Sequence, residues 1–422
     1  MMGQAEAVSY TKTNVGVSML QHRWLRWIPY ALAIFPLVDF TLRMHGIHPV
    51  GVIWDKVVLI VLAVWAGLRY VAGFRPAFHT WYRFAGWFIL FTMGLMFAGL
   101  AHPVVAIQGF RIDVYYILYA LLLPFAVEAK DVPKLLHLGV SLAILIGLHG
   151  IYQYIMKTPT PSAWVNVGEH VRTRVFSVLQ SPNELGSYMA LMSPLLIGFS
   201  LYEQHRLRKW VYAAGALFCL IAMLLTFTRG AWMALALAVF VMAVLFERRL
   251  LILLLLLALA AFFVPPIHHR IEDLLTPVYW IKSAQAGRIA RWLTAFDTMS
   301  TNPLLGIGVG HYGGAVAAIY LNGTYSDNYY AKTLGETGII GLTLFIAMHL
   351  ALFRDLFQKC ISAVRGKKRY VMIGGVTGLL AVLIHNSLEN VFEFAPMAAT
   401  YFVYAALLLI WAQAGEDEHA EV

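Results

Sequence analysis

The sequence predicts an all-α integral membrane protein with about twelve transmembrane helices and one long, partly helical extramembrane loop. Three observations carry that prediction. Only 13% of the 422 residues are charged and 60% are hydrophobic, whereas a soluble domain carries about 25% charged residues. Apolar runs of about 20 residues, enough to cross a hydrocarbon core, recur along the whole length. Basic residues gather in alternate loops between those runs, the asymmetry that insertion imposes on cytoplasmic segments.

The runs lie near 27–43, 52–71, 84–101, 112–127, 135–155, 184–202, 209–226, 230–246, 250–265, 338–356, 369–388 and 394–413. The first follows a polar segment holding Lys12, Arg23 and Arg26 and lacks a small-residue cleavage pattern, so it reads as a span rather than a cleavable signal. Asp39 and Arg43 within it are spaced i, i+4 and neutralise each other. Arg75 and Arg83 stand between the second and third runs. The fourth is short and reads as tilted or interfacial, and Lys130 and Lys134 precede the fifth. Ser181-Pro182-Asn183 marks the start of the sixth. Arg206, Arg208 and Lys209 lead into the seventh. The stretch 230–265 is broken only by Glu247, Arg248 and Arg249, which reads as a helical hairpin. Arg365, Lys367, Lys368 and Arg369 separate the tenth run from the eleventh.

These basic loops share one side. The positive-inside rule assigns it to the cytoplasm, with both termini and the acidic tail GEDEHAEV. The chain then reads as one polytopic domain, 1–422, with the long segments 156–183 and 266–337 on the opposite face, which in a bacterium is periplasmic or external. The net charge of +9 reflects topology in a lipid-solvated chain and implies no nucleic-acid partner. Cys219 lies in an apolar run and Cys360 in a basic loop, so the pattern predicts neither a disulfide nor a thiolate metal site.

Topology does not account for the arginines of the other face: Arg111, Arg172, Arg174, Arg229, Arg270, Arg288 and Arg291. In AGRIARW, Arg288, Arg291 and Trp292 are spaced i, i+3, i+4 and share a helix face behind Gly287. The plain reading is an amphipathic helix on headgroups. Arg229, in LLTFTRGAWMAL, sits between two apolar runs almost without a loop. A charge at the centre of a membrane helix costs about 2.5–3.5 kcal/mol, less near the interface, so Arg229 needs an anionic partner. Arg172 and Arg174 stand just before another span. Guanidinium stays charged and binds oxyanions through paired donors. Several of them at one boundary suit a phosphate or diphosphate.

The succession TFTRGAW, GRIARWLTAFDTMSTNPLLGIGVGHYG and SDNYYAKTLGETGIIGL resembles the O-antigen ligase and polymerase superfamily (WaaL-like and Wzy-like proteins), with RVFSVLQSPNELGSYMALMSPLL upstream also fitting it. The resemblance covers roughly 170–350 by motif. It implies a GT-C-type membrane glycosyltransferase, working without metal, cofactor or nucleotide sugar. The donor it implies is a glycan linked through diphosphate to undecaprenol, used on the periplasmic face. The acceptor is lipid A–core in ligases, a further lipid-linked repeat unit in polymerases, and a protein in some relatives. Family arginines near the diphosphate map onto Arg229 and Arg288, and onto Arg174. Ligases carry His-Asn-x-Tyr-Leu nine residues before the Glu of Glu-Thr-Gly. Here that stretch is Asp327-Asn328-Tyr329-Tyr330-Ala331, before Glu336. Asp327 replaces the histidine proposed as the base, and a carboxylate also accepts protons. The exchange tilts the reading toward a polymerase of exopolysaccharide or O-antigen repeats. Asp327, Arg288 and Arg229 are then the expected catalytic residues, and Arg174, Arg291 and Arg172 further diphosphate ligands. Asn183, Asn328, Tyr330, Glu336 and His311 are expected to hold the acceptor or support the site.

Local readings stand beside these. Glu336 reads equally as a site residue or as the start of the next helix, where an acid suits the dipole. His311 reads as a loop histidine or as part of the acceptor path. His385 and Glu389, at i, i+4, read as a pair supporting the site or as a helix cap. Asp113 reads as a local partner of Arg111. Gly306, Gly308 and Gly310 lack the lysine and βαβ unit of a nucleotide loop. A secondary transporter would show midplane charges and an inverted repeat, neither of which is evident. A non-catalytic export partner would not depend on Asp327 or the arginines.

Overall fold

The computed structural model describes residues 27–417 apart from 45–47, 100, 162–163, 165–172, 247, 249–250 and most of 253–275. Among the described residues all regular structure is helical, because a backbone in hydrocarbon satisfies its N–H and C=O groups only within a helix or a closed barrel. The helices are α1 (Trp27–Ala33), α2 (Phe35–Met44), α3 (His48–Val71), α4 (Trp81–Ala98), α5 (Pro103–Leu122), α6 (Val132–Ile155), α7 (Pro182–Tyr202), α8 (Arg206–Leu225) and α9 (Arg229–Leu245). They continue with α10 (Pro277–Ala286), α11 (Arg288–Thr301), α12 (Ala315–Leu321), α13 (Tyr329–Asp355), α14 (Lys368–His385) and α15 (Ala395–Asp417).

Nine helical segments among the described residues are long and apolar enough to cross a membrane. Three of the predicted runs account for the difference from twelve. The first is divided into α1 and α2, bent by 89°. Pro36 contributes, since in the first turn of α2 it has no N–H to continue the hydrogen-bond ladder from α1. The run at 230–246 becomes α9, which is 17 residues long. The run at 250–265 lies largely outside the described residues.

Two boundaries differ from the hydropathy reading. α5 starts at Pro103, well before the run at 112–127. α13 starts at Tyr329, before the apolar run at 338–356, and continues through a π-helical turn to Ser362. Cys360, expected in a loop, is therefore buried in that turn. Cys219 is buried in α8, and both cysteines are free thiols.

α7 and α15 form the centre: 83% and 89% of their apolar stretches are buried, against 22% for α4. The outer helices instead expose apolar side chains such as Ile60, Val64, Leu145 and Leu237, as suits contact with lipid tails. The most extensive helix pairing is between α7 and α14. It depends on Gly374 and Gly378, spaced four apart in α14. A methyl group on either would lie 2.2 Å from a carbonyl oxygen of α7, that of Pro194 or Leu191. Small residues at this spacing let membrane helices touch backbone to backbone. The contact fixes the N-terminus of α7 next to the C-terminus of α14, where the candidate site lies.

α13 is broken at Gly338, which adopts φ 63°. The loop after α11 is spliced into the break. Ile339 N donates to Pro303 O (2.9 Å), Ile307 N to Gly335 O (3.0 Å) and Gly308 N to Glu336 O (2.9 Å). The segment 303–308 thus serves as a backbone splint that supplies hydrogen-bond partners at the break.

Gly378→Ala sets about 1 kcal/mol of gained helix propensity against an overpacking cost of about 1–3 kcal/mol. The clash is with backbone, which cannot rotate away, so the cost wins. Thermal unfolding of the detergent-solubilised protein should show lower stability; an unchanged or raised Tm would show that the α7–α14 contact is not tight.

Candidate functional site

The site forms where α7, α13 and α14 end at one pole of the bundle. The basic segment 363–369 sits at the other pole, because α13 and α14 run antiparallel on either side of it. Gly287 precedes α11, so Arg288 is the first helical residue and Arg291 follows one turn later on the same side. Both reach Asp327. Arg291 Nη1 lies 2.6 Å from Asp327 Oδ2, and Arg288 Nε lies 3.5 Å from the same oxygen. Arg291 also donates to Tyr325 O (3.3 Å). The arginines keep about a third of their side chains exposed and Asp327 a fifth, so the cluster remains accessible.

Asp327 has φ 48°, in the left-handed region that Asp tolerates better than most residues. Its neighbours hold it there. Asn328 caps α13, accepting from Tyr330 N (2.9 Å) and Ala331 N (3.1 Å). Asn390, fully buried, accepts from Asn328 N (3.0 Å) and Ser326 Oγ (3.1 Å) and donates to Gly313 O (2.7 Å).

A second carboxylate, Glu389, faces Arg288 from the segment between α14 and α15. Its Oε2 lies 3.7 Å from Arg288 Nη2 and accepts a hydrogen bond from Asn183 Nδ2. Burial, reinforced by the charge of Asp327 and opposed by Arg288, raises the Glu389 carboxyl to about 7. Asn183 Oδ1 in turn accepts from Arg174 Nη2 (3.0 Å) and Thr228 Oγ1 (3.1 Å). Arg174 further donates to Thr226 O (3.0 Å) and Trp164 O (3.2 Å). Arg229 opens α9 immediately after Thr228. Gly230 packs so near His385, at the end of α14, that a methyl on it would lie 2.8 Å from the imidazole Nε2. Arg229 therefore stands at the same pole as Arg288.

Beneath this layer lies a buried charge cluster on α5 and α13. Lys332 Nζ is 2.9 Å from Asp113 Oδ1, 2.9 Å from Glu336 Oε2 and 3.6 Å from Glu393 Oε1. Tyr329 donates to Asp113 (2.7 Å), and Ala315 N to Glu393 Oε2 (2.6 Å). Tyr312 links the two layers: its backbone N–H reaches Glu336 Oε1 (3.4 Å) and its hydroxyl donates to Arg291 O (2.8 Å).

The structure thus gathers Asp327, Arg288 and Arg291, joins Arg174 and Asn183 to them through Glu389, and puts Arg229 alongside. Arg172 lies outside the described residues. Glu336 neither starts a helix nor lines this cluster; it is buried within α13 against Lys332. Asp113 pairs with Lys332 rather than Arg111. Tyr330 donates to Leu383 O (2.9 Å), tying α13 to α14. His311 contacts Val309 O and the His102 ring. His385 pairs with Ser187, not with Glu389. Asn390, Tyr312 and Lys332 were not expected near the site, whereas Glu389 reads from the sequence either as supporting it with His385 or as a helix cap. Among the described residues no group of three or more His, Cys, Asp or Glu side chains is arranged to hold a metal ion.

The fold and site define a polytopic helical membrane protein with an accessible guanidinium–carboxylate cluster at one pole. Residues 214–346 match the family model described as O-Antigen ligase, which supports the resemblance of this segment to the O-antigen ligase and polymerase superfamily, whose members are glycosyltransferase-type enzymes. No curated protein shows significant similarity to the chain. The matched segment holds Arg229, Arg288, Arg291 and Asp327, whereas Asn183 and Glu389 reach the cluster from outside it.

Lys332→Met would leave three buried carboxylates without their cation. Breaking a buried ion pair from one side costs about 3–5 kcal/mol, so the variant should unfold at a much lower temperature. Adding Glu336→Gln, which removes one of the stranded charges, should recover part of the loss in the same melting experiment.

Proposed function

We propose that this protein is a GT-C-type glycosyltransferase of the bacterial inner membrane that uses an undecaprenyl-diphosphate-linked glycan as donor. Its site pole faces the periplasm, its termini and basic loops face the cytoplasm, and it polymerises repeat units of an exopolysaccharide or O-antigen. One observation carries the reading: two partly exposed guanidiniums, Arg288 and Arg291, converge on Asp327 while a second carboxylate, Glu389, holds Arg288 from the other side.

In the reaction, an acceptor sugar hydroxyl attacks C1 of the donor glycan and the C1–O bond to the diphosphate breaks. Asp327, the accessible carboxylate, takes the hydroxyl proton. Arg288 and Arg229, with Arg291, neutralise the charge that develops on the departing lipid diphosphate. Two unit charges 4 Å apart interact by about 4 kcal/mol at an effective dielectric of 20. A few such contacts are enough to make the diphosphate a competent leaving group. Arg174 spends its described donors on protein acceptors, which suits a role in placing Asn183 and Thr228. Attack on one face and departure from the other invert the anomeric centre.

A ligase acting on lipid A–core or a protein is the second reading, favoured by the description of the matching family model. Deletion of the gene separates the two. Single repeat units left on the carrier mean a polymerase, whereas full polymer on the carrier with bare lipid A–core means a ligase. Unchanged surface glycans would sink both.

Removing one preorganised charge donor costs about 10²–10³ in rate. Arg288→Ala should lose that much transfer in a purified assay, and undiminished transfer would overturn the mechanism. The pH profile gives a second check. Glu389 is neutral below about 7 and then lacks its ion pair with Arg288. Transfer should therefore rise as pH passes upward through about 7. Glu389→Gln imitates the neutral state, so it should be slow throughout and show no step near that pH.

A further inference from the structure

A cavity whose lining is distinct from the Arg288 cluster opens at the same pole. Its volume is about 240 Å³, and its walls include Asp39 and Arg43 of α2, Arg111 and Tyr116 of α5, Glu393, and Pro396 at the start of α15. Taking about 30 Å³ per water, it has room for roughly eight, or for a phosphate and the polar unit next to it.

The charges in its wall are unequally committed. Asp39 accepts from Arg43 Nε (2.8 Å, to both oxygens) and from Trp54 Nε1 (3.0 Å). Glu393 is held by Lys332 and by Ala315 N. Arg111 makes no ion pair among the described residues, and its Nε is buried without a hydrogen-bond partner. A guanidinium in a membrane helix is costly unless an anion compensates it, and an unmade hydrogen bond from a charged group adds to that cost. Arg43, with 41% of its side chain exposed, lines the same cavity, and its pairing with Asp39 uses Nε.

We propose that this cavity binds the phosphate ester of a membrane lipid, with Arg111 as its principal ligand and Arg43 as the outer one. The depth fits a headgroup. Asp113, two residues after Arg111, meets Tyr329 and Lys332 in the first turn of α13, so Arg111 lies level with the helix ends of the site pole. Glu389 of the first cluster and Glu393 of this cavity belong to one short connection between α14 and α15. A transferase that joins two lipid-borne substrates needs two such anion sites close together. If the glycosyltransferase reading holds, the lipid phosphate here is that of the acceptor. A structural bilayer phospholipid offers the same chemistry.

The test is native mass spectrometry of the full-length protein with undecaprenyl phosphate and, separately, phosphatidylglycerol. Wild type should retain two phosphate lipids. Arg111→Gln should weaken one of them about ten-fold or more, and Arg288→Ala should weaken the other. Preference of the Arg111-dependent site for undecaprenyl phosphate identifies the acceptor carrier; preference for phosphatidylglycerol identifies a bilayer lipid. Either outcome supports the site. Retention of both lipids by Arg111→Gln, or loss of a single shared lipid in both variants, overturns it. Arg43→Gln serves as a second variant should Arg111→Gln fail to fold, with a smaller loss of the same lipid expected and no loss overturning the proposal. Undiminished glycan transfer by Arg288→Ala would sink the catalytic reading while leaving this binding result standing.

Discussion

Arg288 lies between Asp327 and Glu389, and that shared guanidinium ties together three parts of the chain that are far apart in sequence. It comes from the start of α11, Asp327 precedes α13, and Glu389 follows α14. Charges so close to hydrocarbon are tolerated only when partnered. Each end of the bundle therefore has to match its acids to its bases, and here the match is made through one cation and continued by Asn183 to Arg174 and Thr228. The cluster stays open on the arginine side and closed on the Glu389 side. That asymmetry makes it a place where an outside anion meets preset positive charge.

The scaffold holds this arrangement by bringing backbones together rather than by apolar burial. Lipid tails are as apolar as leucine, so helix association in a membrane draws on close packing and hydrogen bonds. Gly374 and Gly378 bring α14 onto α7 and so set the end of α14, and Glu389 beyond it, beside Asn183. The break in α13 at Gly338 works similarly. The loop 303–308 fills it with hydrogen bonds and carries the chain after α11 back against α13, where Tyr312 and Arg291 meet. Below, Lys332 and its carboxylates give α5, α13 and the α14–α15 connection a common anchor.

Much of the site was legible because its charges sit where insertion does not explain them. Arg288 and Arg291 share a face, as their spacing implies, and Asp327 meets both. Other readings failed for identifiable reasons. Lys332 and Glu336 made the start of α13 look like loop, because hydropathy counts each charge separately while the structure pairs them. His385 and Glu389 looked like a local i, i+4 pair, yet α14 ends at His385 and the chain turns, sending Glu389 to Asn183 and Arg288. Gly306, Gly308 and Gly310 hinted at a phosphate loop; Gly306 and Gly308 instead fit the break in α13, and Gly310 packs against Gly109 of α5.

The sequence by itself determined the membrane class, most of the helical spans and the segregation of basic loops from the arginine-rich segments. These follow from how each stretch of chain partitions between lipid and water, a property readable one window at a time. The tertiary structure alone decided the polar pairings between distant spans. Asn183 and Glu389 are 206 residues apart and Asp113 and Lys332 are 219 apart. No local pattern carries such a pairing, because it exists only once helix packing has placed the ends of separate spans at one depth.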